Sequence, residues 1–262
     1  MKKKVVLSLG GGGAKTFAHL GVIDALAEAG ISIDCLVTCS AASVVGFMVA
    51  TGATSQEIMD LFCRKKKRRM FIKRSIFKAI LSQYIRKKGL TDLSKTDIPI
   101  KVVTVDLIRG EEVVFDSGRP LPIVLASAAL PGIFKPIKYG RYLLVDGGVL
   151  NPDPADVAKS VAGKDGRVIS ITLRLEVYNQ EPKGRFDSIL KSLYLLSFKS
   201  RNKIIEENSD LIIRPLDNFM VNFKNWRETF FSYFENRRME GFYAQGYEAG
   251  RKAAPDIKKL IQ

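Results

Sequence analysis

Ser40 sits where an apolar, strand-like run, Leu36-Val37-Thr38-Cys39, gives way to a small-residue, helix-like run, Ala41-Ala42-Ser43-Val44-Val45-Gly46. A serine in that setting can be lifted out of a sheet by a strand–turn–helix elbow and act as a nucleophile. The elbow pattern is G-x-S-x-G, and its two glycine positions hold Thr38 and Ala42 here. Much later, Val145-Asp146-Gly147-Gly148 places a carboxylate at the end of an apolar run. Asp146 reads either as a turn residue before two glycines or as an acid–base group at a sheet edge, where ligands bind in open α/β folds.

A third feature precedes both. Gly10-Gly11-Gly12-Gly13-Ala14-Lys15-Thr16 lies between an apolar strand pattern and a helical one. Three chemistries could use it. Lys15-Thr16 mimics the end of a phosphate-binding P-loop, and Tyr142 to Asp146 mimics its acidic strand, yet Leu9 and Ala14 stand where that pattern needs glycine. Gly11-x-Gly13 with Asp34 further on mimics a dinucleotide loop, but Thr16 replaces its last glycine. The third chemistry is an oxyanion hole, in which backbone N–H groups of Gly11, Gly12 and Gly13, with Lys15 beside them, hold developing negative charge at a helix N-terminus. A ligand-free turn fits poorly, because four successive glycines carry an entropic cost that a plain turn does not need.

These residues must be positioned by a sheet. Strand patterns at Lys4–Leu9, Ile33–Val37, Ile100–Leu107, Glu112–Phe115, Tyr142–Val145 and Arg167–Leu173 are interleaved with helical ones at Ala14–Ala29 and Ala41–Ala50. Such alternation predicts a mainly parallel, helix-covered α/β sheet. The second half reads as more helical, with Phe186–Glu207, a strand-like Leu211–Arg214 and helices to the end. The 262 residues suffice for one large α/β domain.

The net charge of +15 favours an anionic partner such as a phospholipid surface. It is concentrated in residues 64–88, which hold twelve Lys or Arg and no acid, beginning Arg64, Lys65, Lys66, Lys67, Arg68, Arg69 and continuing through Lys73 and Arg74. Phe71, Ile72, Ile76, Phe77, Ile80, Leu81, Tyr84 and Ile85 recur there at helical spacing. The segment reads as a basic amphipathic helix that meets a membrane or forms a lid, or else as a solvated helix whose apolar stripe is core. No base-stacking pattern accompanies the charge, which argues against nucleic acid. The apolar run after the initial lysines is too short for a signal peptide, and Cys35, Cys39 and Cys63 read as reduced thiols, so the expected location is cytoplasmic, at most peripheral on the inner membrane face.

The order of glycine loop, Ser40 and Asp146-Gly147-Gly148 resembles the patatin-like phospholipase family. Further similarity lies in Phe17-Ala18-His19-Leu20-Gly21-Val22, in Thr104-Val105-Asp106-Leu107 with Phe115-Asp116-Ser117-Gly118, and in Ala126-Ser127-Ala128-Ala129-Leu130-Pro131-Gly132-Ile133-Phe134. It covers roughly Val5 to Pro154; beyond, only the strand before Pro215 and the helix around Gly246-Tyr247-Glu248 are similar. The resemblance implies a three-layer α/β/α fold over residues 1–262 with a helical portion at 185–262. It also implies a lipid acyl hydrolase that needs no cofactor and uses a Ser–Asp dyad. The residues support the dyad separately: His19, on the first predicted helix, is the single histidine, which leaves little room for a triad base and makes Asp146 the candidate. A dry site would raise that carboxyl's pKa and ease proton transfer from Ser40.

The sequence departs from the family pattern at its centre. Lys15 and Thr16 replace the loop's Arg-Gly, and Thr38 and Ala42 replace the elbow glycines. If position 38 needed a positive φ, a β-branched residue would cost on the order of 1–3 kcal/mol; in an extended strand it would be comfortable. Two readings follow: an active lipid acyl hydrolase with an adapted site, or a lipid-binding or regulatory protein that keeps the fold.

Overall fold

The computed structural model describes residues 3–63, 74–173, 181–182, 184–217 and 238–262. Its centre is β1 (Val5–Leu9), every residue of which is buried. A short run that is buried throughout cannot face water on either side, so helices must cover both faces. The two faces separate by alternation. Val5, Leu7 and Leu9 join one apolar cluster with Phe17, Leu20, Phe47 and Ile257. Val6 joins the other with Val37, Cys39, Val103, Ala158 and Val168.

The remaining strands are β2 (Cys35–Cys39), β3 (Ile100–Asp106), β4 (Glu111–Phe115), β5 (Ile137–Tyr139), β6 (Tyr142–Asp146), β7 (Arg167–Ile171) and β8 (Leu211–Ile213). The helices are α1 (Phe17–Glu28), α2 (Ala41–Ala50), α3 (Ser55–Cys63), α4 (Arg74–Lys88), α5 (Pro120–Ser127), α6 (Ala155–Ala162), α7 (Arg185–Asn208) and α8 (Met239–Ile261). The sheet runs β5-β6-β3-β2-β1-β7-β8, with β4 added to β3. Its five strands from β3 to β8 are parallel, and β4, β5 and β6 join antiparallel. With helices on both faces this is the expected α/β/α arrangement; the antiparallel additions are what the strand–helix alternation did not show. Helices α1 and α8 pack along each other on one face, and α6 with α7 covers the other.

Local differences from the sequence reading have local causes. The first helix starts at Phe17 because the glycine run first makes a 3-10 turn, Gly13–Thr16. α3, α5, α6 and β5 are short, and none has a pattern long enough to stand out.

The registers around β3 set up the site. Val102 and Val103 pair with Thr38 and Cys39 on one edge of β3 and with Phe115 and Val114 of β4 on the other. Thr104 then pairs with Val113 of β4 and with Asp146 of β6. The edge of β3 that holds β2 up to Cys39 is therefore taken over by β6 from Asp146. The two strands abut end to end, and Ser40 and Asp146 meet where they do.

Candidate active site

Ser40 follows β2 and precedes α2, with φ 58° and ψ −135°. It is the one non-glycine residue with positive φ among the described residues. That backbone is nearly glycine-only and costs of order 1–3 kcal/mol, so its surroundings must hold it. The Ser40 N–H donates to Ser127 Oγ at 3.0 Å. The Ser127 hydroxyl donates in turn to the Val103 carbonyl at 2.7 Å, and Ser43 Oγ lies 2.8 Å from it. Thr38 completes this buried network: its hydroxyl reaches Ser43 Oγ at 3.0 Å and the Lys101 carbonyl at 3.1 Å.

Thr38 itself lies within β2, so the strain falls on Ser40 and not on the β-branched residue. Room for it comes from Gly46 on α2, where a Cβ would fall 2.6 Å from Thr38 Cγ2. Ala42 is fully buried at the start of α2.

Asp146 ends β6. Its Oδ2 accepts the Ser40 hydroxyl at 2.7 Å, and its Oδ1 accepts the Gly148 N–H at 2.8 Å. The side chain is 2% exposed. Burial pushes its pKa up to about 7, against the downward pull of its bonds from Ser40 and Gly148. A carboxyl poised there can accept and return a proton near neutral pH. Gly147 lies against the Val103 carbonyl, where a Cβ would come within 2.5 Å.

The glycine loop passes directly beside Ser40. A Cβ on Gly11 would fall 2.9 Å from Ser40 Cβ, and one on Gly10 would overlap Asp153 Oδ1. The loop does not, however, present all the donors expected of it. The Gly11 N–H donates to the Pro152 carbonyl at 2.8 Å, so it holds the loop instead of facing an oxyanion. Gly12 and Gly13 remain as candidate donors. Lys15 is buried beside the loop, and its Nζ donates to the Leu173 carbonyl at 2.6 Å. Burial holds that ammonium's pKa well below the usual lysine value, and Arg201 lowers it further. Thr16 closes the 3-10 turn by donating to the Gly13 carbonyl at 2.7 Å.

These contacts also speak to the other loop chemistries. A P-loop lysine reaches phosphates, whereas Lys15 is tied to a backbone carbonyl. Asp34, the acid of the dinucleotide-loop reading, accepts the Val5 N–H at 2.7 Å at the start of β1. His19 Nε2–H donates to the Gly10 carbonyl at 2.8 Å, and burial pushes its pKa down to about 4. The ring is a neutral support for the loop, not a base for Ser40.

Behind the loop lies a pair that the sequence reading missed. Arg201 of α7 donates to Asp153 Oδ2, and both side chains are buried. Asp153 follows Gly147-Gly148 closely in Asn151-Pro152-Asp153-Pro154, a run whose polar residues between prolines were a signal. Arg201 had none, since 48 positions separate it from its partner.

The basic segment is placed only in part. Arg64, Lys65, Lys66, Lys67, Arg68, Arg69 and Lys73 lie outside the described residues, and Arg74 begins α4. In α4 the apolar stripe is core: Phe77, Ile80, Leu81 and Tyr84 are buried, and Tyr84 Oη lies 2.7 Å from Thr51 Oγ1. Lys78, Arg86, Lys87 and Lys88 form its exposed cationic face. These described apolar side chains of the helix are thus taken up by the core. No helix among the described residues is long and apolar enough to cross one.

Comparisons with known proteins follow the same outline. The sequence model described as patatin-like phospholipase matches residues 7–159. An uncharacterised NTE family protein of Mycobacterium tuberculosis is 32% identical over 166 residues, which cover 58% of this chain and 44% of that protein. Patatin-like phospholipase domain-containing protein 7 of Rattus norvegicus is 30% identical over 181 residues, covering 61% of this chain and 13% of that protein. The chain thus spans less than half the length of these relatives. Among solved structures, VipD from Legionella pneumophila aligns with a TM-score of 0.52 at 14% identity, covering 97% of this chain and 67% of that one, a likeness of fold.

Proposed function

From the premise that this chain belongs to the patatin-like phospholipase family, we propose that it is a serine lipid acyl hydrolase in which Ser40 and Asp146 form the catalytic dyad. The observation that carries this is the 2.7 Å hydrogen bond from Ser40, held on a strained backbone, to a buried carboxyl whose pKa is raised to about 7. Ser40 Oγ attacks the acyl ester carbonyl as Asp146 Oδ2 takes its proton. The tetrahedral oxyanion is held by N–H groups of Gly12 and Gly13 at the start of the 3-10 turn, a contribution of roughly 2.7–4 kcal/mol per donor. The intermediate expels the alcohol, which leaves with the proton from Asp146. Water then attacks the acyl-enzyme, giving its proton to Asp146, and the released serine oxygen recovers it as the fatty acid departs. The substrate class is a lipid or other acyl ester, and residues 5–154 carry the machinery.

A second reading has its own support. The Gly11 N–H and the Lys15 ammonium are both committed to backbone carbonyls, which suits a lipid-binding protein without turnover. Fluorophosphonate labelling separates the two. The hydrolase reading expects covalent labelling of the wild type, none of Ser40→Ala, and p-nitrophenyl ester release that disappears with the same substitution. A folded wild type that neither labels nor releases p-nitrophenol would leave the binding reading standing.

A further inference from the structure

We propose that the β3–β4 and β5–β6 turns together form the surface on which this protein seats on an anionic lipid bilayer, beside the dyad. The inference rests on the lipid-hydrolase reading for its purpose, and on the turns' own chemistry for its geometry. Residues 107–110, Leu-Ile-Arg-Gly, make the turn between β3 and β4. Hairpin turns favour Gly, Asn, Asp and Ser, yet this one exposes Leu107 by 48% and Ile108 by 68%. Single exposed apolar residues need no explanation, but two adjacent ones at the tip of a projecting turn form a feature that water disfavours.

The tip lies at the dyad's end of the sheet. Cys39 pairs with Val103 and Asp146 with Thr104, while β3 continues to Asp106 before it turns. At about 3.3 Å per residue, the turn begins roughly 7 Å past the level of Asp146. β6 runs antiparallel along the same stretch, with Asp106 opposite Leu144, so the turn at Gly140 and Arg141 rises next to it. The two tips are tied together. Buried Asp106 accepts the Ile108 N–H at 3.2 Å and the Leu143 N–H at 3.0 Å through Oδ1, and the Leu107 N–H donates to the Leu143 carbonyl at 2.9 Å. Val149 and Leu150, directly after Asp146-Gly147-Gly148, are also exposed and place further apolar surface close to Asp146 in the chain.

The charge around the tips selects the occupant. Arg109, Lys138 and Arg141 are exposed there, against one exposed acid among the described residues of the two turns, Glu111. Arg141 lies over the Tyr142 ring at 5.1 Å. Aliphatic residues ringed by cations fit the boundary between acyl chains and anionic headgroups, with a tyrosine at headgroup depth. A second copy of this chain is a poor match, since each carries +15.

The test uses the full chain carrying Ser40→Ala, which prevents turnover, and co-sedimentation with phosphatidylcholine vesicles with and without phosphatidylserine. Binding is expected only with the anionic lipid. Leu107→Ser with Ile108→Ser is expected to weaken it by about tenfold or more, since each 1.4 kcal/mol lost is a factor of ten. Arg109→Glu with Arg141→Glu is expected to abolish its dependence on anionic lipid and on salt. Thermal melts of both variants check that they fold. The inference is overturned if the Ser40→Ala protein ignores anionic vesicles, if both folded variants bind as tightly as it does, or if the serine pair changes the mass in solution, which would assign the patch to a second copy. Fluorophosphonate labelling of the wild type reports separately on the dyad, so failure of either reading is told from failure of the other.

Discussion

The elbow and the glycine loop meet at Ser40, and they depart from the family pattern in opposite ways. At the elbow the residue types change while the geometry is kept: Thr38 stays extended in β2, Gly46 makes room for its methyl, and the positive φ falls on Ser40. In the loop the first glycines remain and Thr16 replaces only the last, but the N–H of Gly11 and the ammonium of Lys15 serve backbone carbonyls. The difference shows what a glycine in each place is for. The elbow position that holds Thr38 concerns clearance between strand and helix, which a neighbour can supply. The loop positions that hold Gly10 and Gly11 concern direct contact with Asp153 and Ser40, which nothing else can relieve.

The largest expected effect tests the premise that both regions serve one dyad. Asp146→Asn should lower soluble-ester turnover by roughly 10³-fold, the usual worth of a positioned base. Wild-type kcat/KM should rise with pH through about 7, because only the ionised carboxyl accepts the proton. The stability sign is the reverse. The native pKa of about 7 lies above the unfolded value near ~3.9. The group's contribution is therefore complete below about pH 4 and is lost as pH rises to about 7. Melting of Asp146→Asn against wild type should show the variant gaining relative stability across that window; a gap that ignores pH would remove the buried-carboxyl account.

Next in size is the loop's intolerance of a side chain. Gly10→Ala drives a Cβ onto Asp153 Oδ1 and disturbs its buried bond from Arg201. Breaking a buried ion pair typically costs 3–5 kcal/mol, and chemical denaturation should show a loss of about 3 kcal/mol or more. The elbow's counterpart, Ala42→Gly, should cost only about 0.5–1 kcal/mol. Equal costs would erase the contrast.

The parts of this molecule that are local are legible in its sequence. The bounds of α2 and α7 and of most strands follow from runs of apolar residues that one element can satisfy alone. Ser40, Asp146 and the glycine loop stood out by type. The contacts that join them did not. That β2 and β6 share an edge of β3 depends on the antiparallel pairing of Thr104 with Asp146, residues far apart in the chain, which alternation alone cannot place. Ser127 comes to Ser40 from α5 across 87 positions, and Arg201 to Asp153 from α7. Even the tolerance of Thr38 depends on Gly46, a residue whose role exists only once strand and helix are packed.

Ser127 gives the third test. In Ser127→Ala the Ser40 N–H and the Val103 carbonyl each lose a buried partner, a cost of about 1–3 kcal/mol. Because the same bond holds the strained backbone of Ser40, the proposed nucleophile, kcat should fall by about tenfold with little change in KM, each 1.36 kcal/mol in the barrier being one decade. A loss confined to stability would make Ser127 a packing residue only, and would weaken the claim that the elbow keeps its geometry through this network.

The smallest effect is the most specific to the comparison. Thr38→Gly alone removes a buried methyl and a hydroxyl from β2 and should cost about 1–2 kcal/mol. Gly46→Ala alone brings its Cβ to 2.6 Å from Thr38 Cγ2 and should cost about 1–3 kcal/mol by overpacking. Together the clash is absent, because the new methyl occupies the space that Thr38 vacates. The double variant should then be more stable than the sum of the single losses by roughly 1 kcal/mol, within the range of coupling between touching residues. Strict additivity would mean that Gly46 is not what admits Thr38, and the elbow would need another reason for tolerating a residue its pattern excludes.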